Sequence, residues 1–328
     1  MTVHAVLGVD TSNYTASLAA VDALTGEVLS DARELVQLGN GKKGLRQSDA
    51  LFFHTSNLPH VLSKLISGLP RTDVEWEGVG VSVRPRPFST SYMPVFKAGE
   101  MLAYTFASME RVPLVRTSHQ EGHVAAALHS LEVAPDETFL AIHLSGGTSD
   151  VLLATPTRFG YAISMLGEGA DLHAGQFVDR VGVHLGLPFP AGPSLEQLAA
   201  EAEEDSSFRL PSRSIGSRLS FSGSCSAAIR ALDSGVPAAN VALAVFAAIA
   251  NAVVKAVQAA TNEHPNLNTL IVAGGVASNQ WIRNRVTRRL QTLRPTMNVM
   301  FAPPEFARDN AIGVASIARR FVLDAKTW

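Results

Sequence analysis

One arrangement occurs twice in the chain. Residues 6–9 form an apolar run that reads as a strand, residues 10–15 (Asp-Thr-Ser-Asn-Tyr-Thr) form a hydroxyl-rich turn, and residues 16–21 form a returning strand. A second turn over 22–27 leads to Val28 and Leu29. In mid-chain, residues 139–144 are an apolar strand, 145–150 (Ser-Gly-Gly-Thr-Ser-Asp) a small polar turn, and 151–154 a returning strand, with 161–165 able to supply a third. A repeat spaced about half the chain apart points to a duplicated sheet unit, each copy opened by an antiparallel meander. Identity between the copies is weak, so two unrelated hairpins is the alternative.

Helical spacing follows each meander. It predicts helices over 48–69 with Ser48 as N-cap, 96–111 and 119–131, with a short strand at 114–116 between the last two. In the second half it predicts helices over 175–185, from a capping box at Ser194 to about 204, over 238–262, 279–293 and 309–323, with strands at 270–273 and 299–301. Residues 204–218 lack periodicity and read as a surface loop. The pattern is α/β throughout, with mixed sheets.

Composition bounds the rest. The 328 residues suggest two domains or lobes at about 150 residues each. Apolar residues are 46% and charged residues 17%, enough to bury a large core. A net charge of −2 excludes a strongly basic nucleic-acid coat and an acidic tail, but leaves room for a local basic patch. The single cysteine, Cys225, excludes an internal disulfide and a cysteine zinc cluster. The N-terminus lacks a signal-peptide pattern, and the apolar stretch 241–260 contains Asn251, Lys255 and Gln258, so it reads as a buried helix rather than a membrane span. The expectation is a soluble, cytoplasmic, two-lobed protein with no membrane partner.

Five motifs can carry chemistry. In His119-Gln120-Glu121-Gly122-His123, two histidines at i and i+4 share a helix face and can hold one metal ion, while Glu121 lies on a different face and is poorly placed as the base of a zinc peptidase. Ser145, Gly146, Gly147, Thr148 and Ser149 form a turn whose N–H groups can cradle an anion, or an ordinary glycine hairpin. A strand runs into Gly274 and Gly275 and then a helix beginning near Asn279, which permits close ligand approach or simply ends a buried strand; no dinucleotide fingerprint or Walker loop is present. Asp309, after Pro303-Pro304, reads as an N-cap or as the carboxylate that completes a metal set with His119 and His123. Asp179 and the loop 187–193 read as structural or ligand-facing, and Ser220-Phe221-Ser222-Gly223-Ser224 is similarly open. The arginines at 283, 285, 288, 289 and 294 suit either a solvated helix face or phosphate contacts.

In this order and spacing, the motifs resemble one family over nearly the whole chain: TsaD/Kae/Gcp, the transferase subunit that makes N6-threonylcarbamoyladenosine in tRNA, formerly called O-sialoglycoprotein endopeptidase or glycoprotease. The resemblance implies a duplicated actin-like ATPase (ASKHA) fold, two lobes with mixed sheets flanked by helices, with ligand between them. It implies an N-terminal lobe over 1–134 carrying the histidine pair and a C-terminal lobe over 135–328 carrying nucleotide loops, the final helix free to pack back on the first lobe. It implies that His119, His123 and Asp309 hold one divalent metal, iron or zinc. Ser145 to Ser149, Asp179, Gly192, Gly274, Gly275 and Asn279 would bind an adenylate or ATP-type ligand. tRNA, a homologous actin-fold subunit and an ATPase would be partners.

The chain departs from the family in three places. Where the family opens Glu-Thr-Ser-Cys-Asp-Glu-Thr, this chain has Asp10-Thr11-Ser12-Asn13-Tyr14-Thr15, so Tyr14 and Thr15 replace the Asp-Glu pair. A tyrosine, with a reference pKa of about 10, is no base near neutrality. Thr148 replaces the loop histidine, and Arg84-Pro85-Arg86-Pro87 replaces Gly-Pro-Gly-Leu. No catalytic group is fixed by the sequence; Asp10 and Ser12 are the candidates the turn offers. The expected function is metal-dependent transfer of threonylcarbamoyl from threonylcarbamoyl-AMP to adenosine N6 in tRNA. The alternatives are a divergent carbamoyltransferase or nucleotide hydrolase acting on a small molecule, and a non-catalytic actin-fold partner subunit. A metallopeptidase ranks last.

Overall fold

The computed structural model describes residues 2–36, 46–203, 207–306 and 309–325. They fold into two compact units: residues 2–36, 46–136, 155–163 and 309–325 in the first, and 137–154, 164–203 and 207–306 in the second.

The first unit begins with the meander β1 (Val3–Thr11), β2 (Thr15–Asp22) and β3 (Val28–Leu35). Helix α1 (Gln47–Gly68) follows, then β4 (Val74–Ser82), α2 (Phe96–Glu110), β5 (Leu114–Thr117) and α3 (His119–Ser130). The strands form one mixed sheet in the order β3-β2-β1-β4-β5, antiparallel through the meander and parallel from β1 to β4 to β5.

The second unit opens with β6 (Phe139–Leu144), β7 (Ser149–Pro156) and β8 (Tyr161–Gly167), followed by α4 (Ala174–His184) and α5 (Gly192–Ala199). A small hairpin of β9 (Arg213–Ile215) and β10 (Arg218–Ser220) precedes α6 (Ser222–Asp233) and α7 (Ala238–Glu263). Then come β11 (Thr269–Ala273), a 3-10 turn (Gly275–Ser278), α8 (Gln280–Leu293) and β12 (Asn298–Phe301). Its sheet reads β8-β7-β6-β11-β12, with β6 parallel to β11 and β11 parallel to β12. Position for position this is the topology of the first sheet, so the repeated meander marks a repeated sheet. The final helix, α9 (Ile312–Ala325), belongs to the first unit, as does the β7–β8 turn, where Phe159 meets Phe321 at 5.0 Å between ring centroids and Arg158 pairs with Asp324 at 2.7 Å.

Burial explains why these segments form. β1 and β2 are buried almost throughout, because helices cover both faces of their sheet. In the second unit, α7 is the centre of the core: it is long and apolar enough to cross a membrane, yet most of its surface is buried in the unit.

Four local expectations are corrected. Ser48 does not cap α1; the helix starts one residue earlier, and the Ser48 hydroxyl faces Asp49 at 3.4 Å. The capping box at Ser194 is not formed: α5 already begins at Gly192 with Pro193 in its first turn, where the missing N–H costs nothing, and it ends at Ala199 rather than near 204. Within the expected loop 204–218, β9 and β10 pair, while residues 204–206 lie outside the described residues. Asp309 does not cap the last helix; Asn310 Oδ1 accepts from Ile312 N at 3.1 Å instead.

Candidate active site

The site in the first unit is built by two helices pressed onto one sheet. A Cβ on Gly80 of β4 would collide with the Val314 carbonyl of α9, so only glycine lets α9 lie directly on the sheet. Gly313 of α9 and Gly122 of α3 meet in the same way: a Cβ on Gly313 would collide with the Gly122 carbonyl. This crossing brings the segment before α9, with Asp309, onto the helix face that carries His119 and His123.

The start of α3 is fixed by its own cap. Ser118 Oγ accepts from Glu121 N at 3.2 Å, and the Glu121 carboxylate accepts from Ser118 N at 2.9 Å and from its hydroxyl at 2.6 Å. Glu121 is therefore a capping residue, which removes it as a peptidase base. The next two N–H groups, of His119 and Gln120, donate to the carbonyls of Arg84 (2.9 Å) and Pro85 (3.0 Å), so the altered Arg-Pro-Arg-Pro stretch is tied to the histidine helix.

His119, His123 and Asp309 converge. His119 Nε2 and His123 Nε2 lie 3.0 Å apart, and Asp309 Oδ1 is 3.3 Å from His123 Nε2 and 3.8 Å from His119 Nε2. Donors around a metal with bonds of about 2.0–2.1 Å are separated by about 3–3.4 Å, so the triangle has the dimensions of a ligand set. The surrounding bonds orient those donors. Asp10, buried at the end of β1, accepts from His119 Nδ1 at 2.9 Å and from the Ser82 hydroxyl. A proton on Nδ1 leaves the Nε2 lone pair of neutral His119 facing inward, the usual carboxylate–histidine support of a metal ligand. The Ser12 hydroxyl donates to Asp309 Oδ2, which leaves Oδ1 for the histidines. His54, fully buried on α1, holds the Ser12 carbonyl from Nε2 at 2.7 Å.

The electrostatics agree. Burial alone would lower the His119 pKa, but Asp10 and Asp309 outweigh it and raise it to about 9. Burial would raise Asp309, but His119, His123 and the Ser12 hydroxyl hold its carboxyl well below the usual carboxylate range. Without a cation the triad thus keeps a proton on an imidazole between two carboxylates. Both candidates for acid–base work, Asp10 and Ser12, are engaged in orienting these groups. Tyr14 is exposed at the turn, and Thr15 is buried with its N–H on Ser12 Oγ at 3.2 Å.

The remaining predicted residues lie in the second unit: the Ser145–Ser149 turn follows β6, Gly274 and Gly275 follow β11, Asp179 is on α4 and Gly192 starts α5. The Ser145–Ser149 turn satisfies much of itself: the N–H groups of Gly147 and Thr148 donate to Ser145 Oγ at 3.2 and 3.1 Å, and the Ser145 and Thr148 hydroxyls bond at 2.7 Å. Ser149 Oγ accepts from Ala174 N at 2.9 Å at the start of α4. Asp179, half-buried on α4 with its pKa raised by burial, accepts from Ala191 N at 2.8 Å and so sets the entry to α5 at Gly192. Gly274, at φ 105°, abuts the Leu144 carbonyl, a place no side chain fits. In contrast, a Cβ added at Gly146, Gly147, Gly192 or Gly275 would meet open space. Asn279 caps α8 with Oδ1 accepting from Ile282 N at 2.9 Å, while its Nδ2 is buried without a partner. Asp171, which no sequence motif singles out, accepts from Ser220, Ser222 and the N–H of Phe221 and joins the serine motif to the loop before α4; these bonds hold its pKa low against the opposing effect of burial.

A family model for TsaD, tRNA N6-adenosine threonylcarbamoyltransferase, matches residues 92–316, more than half of the sequence. The chain belongs to the TsaD family. Relatives named tRNA N6-adenosine threonylcarbamoyltransferase include one from Thiobacillus denitrificans, 29% identical over 314 residues (94% of this chain, 89% of the relative), and one from Prochlorococcus marinus, 27% identical over 282 residues (81% and 76%). Among solved structures, the chain resembles a ROK family glucokinase from Streptomyces griseus (TM-score 0.53, 13% identity, 96% of this chain and 99% of that one) and the activator of 2-hydroxyisocaproyl-CoA dehydratase from Clostridium difficile (TM-score 0.51, 14% identity, 98% and 97%). These likenesses are of fold, and they agree with the duplicated actin-like ATPase fold that the family resemblance implies.

Proposed function

We propose that this TsaD-family chain transfers a threonylcarbamoyl group from threonylcarbamoyl-AMP to N6 of adenosine in tRNA. The observation that carries the reading is the His119–His123–Asp309 triangle with Asp10 and Ser12 behind it. The donor set fits a divalent ion: two inward imidazole nitrogens and one carboxylate oxygen, each oriented by a second hydrogen bond or helix position. His119, His123 and Asp309 would hold iron or zinc, which when bound acts as a Lewis acid toward an acyl oxygen.

The chain's own residues do the rest. Asp10 keeps the His119 tautomer, and Ser12 keeps one Asp309 oxygen directed at the histidines. In the second unit, Gly146, Gly147, Gly192 and Gly275 leave room for ligand backbone approach, and the spare Asn279 Nδ2 offers a donor to an adenylate. A homologous actin-fold subunit and an ATPase are the partners that go with this reading, in the cytoplasm.

Two observations favour a second reading, a carbamoyl-type transferase or nucleotide hydrolase acting on a small molecule. Tyr14 stands exposed where the family carries a carboxylate, and the Arg84–Pro87 stretch anchors the histidine helix. Mass spectrometry of tRNA after incubation with the chain, its partner proteins, threonine, bicarbonate and ATP separates the two. Threonylcarbamoyladenosine is expected; its absence with a metal-loaded, folded chain overturns the tRNA reading.

A further inference from the structure

The five arginines around α8 do not behave alike. Arg283 donates to the carbonyls of Ala277 and Ala302 and lies over the Phe301 ring, and Arg294 donates to the Pro265 carbonyl at 3.1 Å. Those two fasten the helix to the unit. Arg285 and Arg289, one turn apart, both donate to the same atom, Asn251 Oδ1, at 3.0 and 2.7 Å. Arg285 also lies over the Trp281 ring, 5.1 Å from its centroid. Asn251 is neutral, and among the described residues no carboxylate pairs with Arg285, Arg288 or Arg289. Burial and then the charges of Arg289, Arg209 and Arg288 lower the pKa of Arg285, so the guanidinium groups repel one another at close range. Arg285 and Arg289 thus converge on one neutral acceptor, with Arg288 beside them on the helix.

We propose that this α7–α8 ridge binds the phosphate backbone of an RNA, with Arg285, Arg288 and Arg289 as the phosphate-contacting residues. It deepens the tRNA reading above by naming a surface, separate from the histidine centre, that would hold the nucleic acid. A guanidinium offers several donors in a fixed fork, and those not spent on Asn251 match phosphate oxygens. Stacking on Trp281 fixes the Arg285 plane in advance. Arg288 is exposed and Arg285 and Arg289 half-buried, at positions i, i+3 and i+4, so the positive charge forms an open ridge along the helix. That shape suits a polyanion lying across it better than a single small anion. The chain's net charge of −2 makes this a local feature rather than a general basic coat.

The test is fluorescence anisotropy of a labelled, unmodified tRNA transcript titrated with the full chain over a KCl series. For Arg288→Gln/Arg289→Gln, log K against log salt should lose about one unit of slope per contact removed, or roughly two in all, with affinity falling most at low salt. Arg288→Lys/Arg289→Lys should keep most of the slope, and both variants should keep the parent's secondary structure by circular dichroism. An unchanged slope in the Gln variant, full competition by millimolar inorganic phosphate, or no tRNA binding by the parent chain at low salt would each overturn the proposal. Binding that survives without any base modification would count against the transferase reading alone.

Discussion

The two units share one strand order but treat their polar groups differently. In the first, the polar groups around the triad bond mainly to one another: Asp10 to His119 and Ser82, Ser12 to Asp309, and His54 through Nε2 to the Ser12 carbonyl, its Nδ1 buried without a partner. Remove the cation such a set invites, and a proton must take its place. In the second, the glycine turn closes on Ser145 and Asp179 serves the backbone of Ala191, while Asn279 Nδ2 is left buried without a bond. The same sheet thus carries a charge-dense cluster in one copy and, in the other, glycines beside which an added side chain would meet open space. On the proposed function, the charged cluster would grip a small ion and the bare backbone would let a larger ligand come near.

If the first unit is a metal centre, His123→Ala and Asp309→Ala should have the largest effect, abolishing stoichiometric metal by elemental analysis while leaving the secondary structure by circular dichroism unchanged. Asp10→Asn comes next. It keeps the shape but weakens the hydrogen bond that orients His119, and should cost about 10–100-fold in metal affinity by competition titration. Gly313→Val tests how the centre is assembled: forcing α9 off α3 should destabilise the fold by about 1–3 kcal/mol in chemical denaturation and lower metal affinity with it. In the second unit, Asn279→Asp keeps the cap acceptor and removes the spare donor, so adenylate binding should fall with stability nearly unchanged. Asn279→Ala should add a loss of about 1 kcal/mol from the missing cap.

The pH dependence sharpens the contrast. The His119 pKa is raised to about 9 from a reference of about 6.5, so its protonated form stabilises the metal-free fold fully below the lower value. That contribution fades as pH rises through about 9. A cation competes with the same proton, so metal affinity should climb over that window. Asp171, whose pKa is lowered, works in the opposite sense: its contribution is present at neutral pH and is lost as pH falls below the ordinary carboxylate range.

Much of this was legible in the sequence because it repeats or is regularly spaced. The meanders mark the sheet edges, and two histidines four apart mark the shared helix face. β4 was missed although Val74-Glu75-Trp76-Glu77 alternates: the phase slips at Gly78, where the pairing with β1 also shifts register, and glycines follow at the positions where α9 approaches. Asp309 read equally well as a cap, because its role depends on a helix crossing that no local pattern records. Ser82 and His54 were missed for the same reason, each acting on a residue more than forty positions away. Ser118 could have been found, since Ser-x-x-Glu at a helix start is a capping signature. Which arginines of α8 are structural was settled only by the carbonyls and the Asn251 oxygen they reach.

The most direct measurement is the metal content of the purified chain and of its His123→Ala variant, with zinc and iron titrated into the metal-free forms of both. One tightly held divalent ion per parent chain and none in the variant is the predicted result. A parent chain that binds no ion, or a variant that binds as tightly as the parent, would contradict the assignment of His119, His123 and Asp309 as a metal centre.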